Sequence, residues 1–100
     1  MKLALVLGVA LAYTPLAAYP QSNQAQRLAA TCANCHGTDG RSVSAELAPL
    51  AGRPKDYLVS QMKAFRDGTR PATIMPQLAK GYTDQQIEAI AEYFAGRGPR

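Results

Sequence analysis

The chain has 100 residues, 47% hydrophobic and 18% charged, with a formal net charge of +4. That length predicts one domain, and the composition excludes a disordered chain. The basic residues are scattered among Asp and Glu rather than clustered, so a nucleic-acid-binding patch is not expected either.

The first segment reads as an export signal. Lys2 is followed by an uncharged run from Leu3 to Ala12, and then by the small residues of Thr14-Pro15-Leu16-Ala17-Ala18. The apolar run is too short for a membrane-spanning helix, which needs about 20 residues. We assign 1–18 as a signal peptide of approximate boundary and 19–100 as a single domain, so the expected home is outside the cytoplasm. A mature chain of this size has a marginal core and usually needs a staple.

The first helix is predicted to start near Ser22 or Asn23, with Ala25, Leu28, Ala29 and Cys32 at helical spacing and Gly37 as its end. Residues 38–52 carry no period, and Pro49 and Gly52 mark a loop. The second helix is expected from Pro54 to Asp67, with the stripe Tyr57, Leu58, Gln61, Met62 and Phe65 and with Gly68 as its stop. Residues 69–81, broken by Pro71 and Pro76, read as an irregular loop. The last helix is announced by Thr83 and Gln86 as a capping box, an apolar stripe of Ile87, Ile90, Ala91 and Phe94, and Gly96 at its close. The expected class is all-α, about three main helices joined by loops long enough to wrap a ligand.

Cys32-Ala33-Asn34-Cys35-His36 carries the chemistry. Cysteines three apart on a helical turn face the same way, so both sulfurs can form thioethers along one side of a haem. The following imidazole is then carried to the iron; this is the c-type haem attachment pattern. Three other readings compete. A thiol redox pair normally sits by a strand, and no strand is expected here. Zinc wants four ligands, and the chain has no further Cys or His. A disulfide closing so small a loop adds little stability.

With no second histidine, methionine is the natural sixth ligand. Met62 lies on a helical stripe and reads as core. Met75, in Thr73-Ile74-Met75-Pro76, is the candidate ligand; the alternative is a buried loop methionine over a five-coordinate iron. The histidine's second ring nitrogen needs a fixed acceptor, and the Pro49 carbonyl is the candidate. Tyr57 and Phe65 are candidates for the haem edge or for ordinary core. Arg70 and Lys80 are cations with no sequence signal that assigns either to a propionate.

The segments Cys32 to Gly37, Pro49-Leu50-Ala51-Gly52, Tyr57-Leu58 with Gln61-Met62, Phe65 to Arg70, Met75, and Thr83 to Phe94 together resemble a class I cytochrome c. The resemblance covers nearly the whole mature chain. It is strongest to single domains of dihaem high-potential cytochromes c and to the cytochrome subunit of flavocytochrome c sulfide dehydrogenase. Thr73-Ile74-Met75 and Ala79-Lys80-Gly81-Tyr82 look most like the latter. The resemblance implies first and last helices crossing beside one covalent haem, axial His36 and Met75, a bacterial periplasmic home, and electron transfer with a redox partner. The favoured partner is a flavin-containing sulfide dehydrogenase subunit, to which this chain would be a non-catalytic subunit. A free electron shuttle is the alternative. A peroxidase-like or gas-binding haem protein is a third reading, weakened by the lack of a distal histidine.

Overall fold

The computed structural model describes Leu3, Ala4, Gly8 and residues 21–98. The expected signal segment and its cleavage point lie outside the described residues, apart from those three. Among the described residues the regular structure is helical, with no strand. In order it comprises α1 (Gln21–Ala30), α2 (Ala33–His36), a 3-10 turn (Thr38–Gly40), α3 (Lys55–Asp67), α4 (Met75–Ala79) and α5 (Asp84–Ala95). No helix among them is long and apolar enough to cross a membrane.

The last helix forms as its local signals dictate. Thr83 Oγ1 accepts from the Gln86 amide at 3.1 Å, and Gln86 Oε1 accepts from the Thr83 amide at 3.0 Å. Two amides that a helix start leaves unpaired are thereby satisfied. The α5 stripe is the heart of the core: Ile87, Ile90, Ala91 and Phe94 are all buried. α1 lies across α5, and α3 packs on both α5 and α4. Ala29 on α1 and Leu58 on α3 complete the cluster, with Leu28, Cys32, Leu50, Val59, Tyr82 and Tyr93 packed around it. Ala29 is small enough to let α1 approach α5 closely. α3 ends as expected at Gly68, in the left-handed region at φ 79°.

Two elements differ from the sequence expectation. The first helix is not continuous to His36. The Cys32 amide bonds Ala29 O (3.1 Å), three residues back, and Thr31 Oγ1 donates to Leu28 O at 3.4 Å. This tightening separates α1 from α2. The 69–81 segment is not wholly irregular, because Met75–Ala79 make one helical turn. Pro76 sits in that first turn, where its missing N–H costs nothing.

Candidate functional site

The motif at 32–36 forms a helical turn. The His36 amide bonds Cys32 O at 2.8 Å and the Cys35 amide bonds the same oxygen at 3.3 Å. Both cysteines are free thiols, Cys32 half-buried against the core and Cys35 exposed. Burial pushes the Cys32 thiol above its ordinary value, against the smaller opposing effect of a hydrogen bond from Thr31. A thiol redox pair works through a depressed thiol pKa, so this environment argues against that reading. Among the described residues no cluster of three His, Cys, Asp or Glu side chains could hold a metal ion.

Gly37 turns the chain immediately after the histidine. Its backbone (φ 84°, ψ 164°) is one that only glycine adopts at ease, and a Cβ there would overlap the Arg41 carbonyl oxygen. The turn brings His36 under the 42–49 loop. His36 Nδ1 lies 2.7 Å from Ala48 O. A carbonyl only accepts, so Nδ1 carries the proton and Nε2 keeps its lone pair for a metal. The acceptor is therefore Ala48 and not Pro49, as the sequence suggested. The Pro49 carbonyl is occupied by Arg53 Nε at 3.4 Å. Sequence reasoning missed Ala48 because a backbone carbonyl leaves no mark on residue type; the neighbouring proline was the only signal.

The loop that delivers Ala48 is itself held. Gly40 O accepts from both Leu50 N (2.8 Å) and Ala51 N (3.1 Å), and Gly52 N donates to Phe94 O at 2.9 Å. A Cβ on Gly40 would lie 2.7 Å from Phe94 Cδ1 and 2.9 Å from Leu50 Cβ. The site and the core thus meet at a glycine.

Met75 begins α4, half-buried, on the element that packs against α3. Met62 and Phe65 on α3 are also half-buried. Tyr57 is 45% exposed, and Pro49 is exposed as well. Arg70 stacks its guanidinium 4.6 Å from the Phe65 ring centroid and donates to Gln61 Oε1. Lys80 is exposed at the end of α4.

Haem fits this arrangement on the chemistry of the chain itself. Two free thiols stand one helical turn apart, followed at once by an imidazole with Nε2 available. The chain also leaves large apolar side chains uncovered: Leu47 (39% exposed), Tyr57, Ile74 (62%) and Leu78 (50%). Exposed apolar side chains on this scale, beside the few buried ones among the described residues, are what an apolar body would cover.

Comparison with known proteins agrees. Residues 21–94 match the family described as cytochrome C oxidase, cbb3-type, subunit III. The cytochrome subunit of sulfide dehydrogenase of Chlorobaculum tepidum is 43% identical over 67 residues, spanning 67% of this chain and 60% of that protein. The thiosulfate dehydrogenase electron acceptor of Stutzerimonas stutzeri is 42% identical over 72 residues, 69% of this chain and 33% of that protein. Cytochrome c-554(548) of Halomonas halodenitrificans is 40% identical over 70 residues, 67% of this chain and 84% of that protein. The chain therefore spans 60% of the first of these relatives and 33% of the second, under two thirds of each. Among solved structures, cytochrome c4 of Acidithiobacillus ferrooxidans superposes with a TM-score of 0.71 at 28% identity, over 77% of this chain and 50% of that one. The fold is thus that of a small all-α cytochrome c, and the chain belongs to the cytochrome c family whose description is cytochrome C oxidase, cbb3-type, subunit III, whose members carry covalent haem c and transfer electrons.

Proposed function

We propose that the chain carries one covalent haem c through Cys32 and Cys35, with His36 and Met75 as the axial ligands. In this reading it works in the bacterial periplasm as the electron-accepting cytochrome subunit of a flavin-containing sulfide dehydrogenase. The donor set at 32–36 carries the proposal: paired free thiols and a histidine whose Nδ1 is already committed to Ala48 O. The relative from Chlorobaculum tepidum, named as a sulfide dehydrogenase cytochrome subunit, supports the partner. When bound, the haem supplies a one-electron iron couple, raised in potential by a His/Met pair. The chain's own residues do the rest. Cys32 and Cys35 tether, His36 is held in one tautomer and one orientation by Ala48, and the uncovered apolar side chains exclude water. Pro49 and Tyr57 are proposed as contacts at the haem edge.

A second reading is a free electron shuttle. It is favoured by the relative from Halomonas halodenitrificans, a cytochrome of which this chain spans 84%.

The test is a sizing column run on protein from its native periplasm, with a visible spectrum across each peak, oxidised and then reduced. Sharp reduced haem bands travelling with a flavin in a larger peak support the subunit. The same bands in a small flavin-free peak support the shuttle. A colourless protein overturns both. Replacing Met75 with Ala is expected to lower the reduction potential and let cyanide or carbon monoxide bind the iron; an unchanged spectrum and potential would remove Met75 as ligand.

A further inference from the structure

Asp39 is the one residue other than glycine with a positive φ among the described residues (φ 55°, ψ 22°). Left-handed backbone is disfavoured for any residue with a Cβ, least so for Asp and Asn, and it persists where the surroundings hold it. Here the surroundings are specific. Tyr93 Oη, on the last turn of α5, donates to Asp39 Oδ1 at 2.6 Å. Arg41 Nη1 donates to Asp39 Oδ2 at 3.3 Å while its Nη2 donates to Gly98 O at 3.1 Å. The Tyr93 ring is fixed in turn, edge-on to Phe94 with centroids 5.3 Å apart and with the Arg97 guanidinium 4.5 Å from its centroid.

The hydrogen bond from Tyr93 holds the Asp39 carboxyl below the usual carboxylate range. The same bond holds the phenol above its ordinary value, so the pair is a carboxylate and a neutral phenol at neutral pH. The space beside the pair, about 200 Å³, is lined from α1 and α2 by Gln26, Ala29, Ala30 and Ala33 and is partly open to solvent.

We infer that the Asp39–Tyr93 hydrogen bond is a positioning contact for the axial histidine, setting the orientation of the His36 ring from the far side of the loop. The inference rests on the haem reading above. The route is continuous. Tyr93 pins Asp39, and Asp39 fixes the peptide that follows it. The Gly40 carbonyl of that turn then receives Leu50 N and Ala51 N. This pair of hydrogen bonds sets the height of the 48–51 segment, whose Ala48 carbonyl accepts from His36 Nδ1–H. No hydrogen bond joins Asp39 or Tyr93 to His36, so the effect acts through backbone.

The experiment uses the haem-loaded protein with Tyr93→Phe, Asp39→Ala and Asp39→Asn. Arg66→Ala serves as control, because it breaks a surface contact of the same 2.6 Å length, to Asp84 at the other end of α5. The haem-methyl proton shifts of the ferric protein report the plane of the axial imidazole; amide exchange at Gly40, Leu50 and Ala51 reports the loop. Tyr93→Phe and Asp39→Ala are expected to respread the methyl shifts and to speed exchange at those amides about tenfold. Asp39→Asn, which still accepts from Tyr93 and tolerates the left-handed backbone, is expected to keep the parent pattern. Methyl shifts that overlay the parent in Tyr93→Phe and Asp39→Ala overturn the inference, as does an equal change in the control. A parent without haem bands counts against the haem reading, and the inference is then decided on the same chain. Ring ¹⁵N shifts of His36 should show a dominant Nδ1–H tautomer in the parent and a mixture in Tyr93→Phe, and an unchanged tautomer overturns it.

Discussion

The two sides of this small molecule are built differently. Where α1 and α3 meet α5, Ala29, Leu58, Ile90, Ala91 and Phe94 close on one another. On the 42–50 loop and around α4, Leu47, Ile74 and Leu78 stay exposed, and Val43 is fully exposed. The α5 side is held by side chains that touch. The other side is held by backbone hydrogen bonds and glycines, with its apolar groups left uncovered. One half of the fold is thus a scaffold, and the other half is a mould.

The largest blow to this contrast is removal of both thiols. Cys32→Ser with Cys35→Ser is expected to abolish the covalent haem bands and to lower the thermal midpoint far more than any single core truncation. Amide exchange should rise first in 42–50 and in α4 while α5 stays protected. Uniform loss of protection would mean the two sides are one cooperative unit. Next comes the scaffold itself. Phe94→Ala empties a fully buried ring site and is expected to cost about 3–5 kcal/mol by denaturant unfolding. Leu78→Ala, at a half-exposed position, is expected to cost under about 0.5 kcal/mol in a haem-free chain. It should cost clearly more in the haem-loaded protein; equal costs in the two forms would place Leu78 away from the haem.

Gly40→Ala probes the seam between the halves. The new Cβ would crowd Phe94, Leu50 and the Ala51 amide at φ 75°, and the expected loss is about 2 kcal/mol, read from the same unfolding curves. Thr83→Ala removes only the α5 cap and is expected to cost about 1 kcal/mol with no change in the haem spectrum.

The smallest effect is acid sensitivity. Arg66 lowers the Asp84 carboxyl and Tyr93 lowers that of Asp39. A lowered folded-state pKa gives stability that is present above the unfolded carboxylate value of about 4 and is lost as pH falls through the folded value. The Arg66–Asp84 pair is exposed, so its loss should be slight and further reduced by salt, and the part-buried Asp39–Tyr93 pair is less screened. An acid titration of Asp84→Asn with a flatter stability profile than the parent would confirm the sign for that pair.

Much of this was legible in the residues. α3 and α5 carry their own start and stop signals, Pro54 and Gly68 for one, Thr83, Gln86 and Gly96 for the other, and such signals act over one turn of chain. The Cys32–His36 spacing is likewise local, so the donor set is readable as a string. What failed to show was set by contacts across the sequence. The break at Thr31 depends on a side chain bending back to Leu28, and the turn at Met75 depends on packing against α3. The acceptor for His36 was placed one residue late because nothing local distinguishes the Ala48 carbonyl from that of Pro49.

The sequence by itself determined the helical class, the capped last helix and the order of thiol, thiol and imidazole, because each is decided by neighbours within a few residues. Only the tertiary structure decided which carbonyl receives the histidine proton and which phenol grips Asp39. Those partners lie 12 and 54 residues away, and no short-range pattern encodes a meeting that the whole chain must fold to arrange.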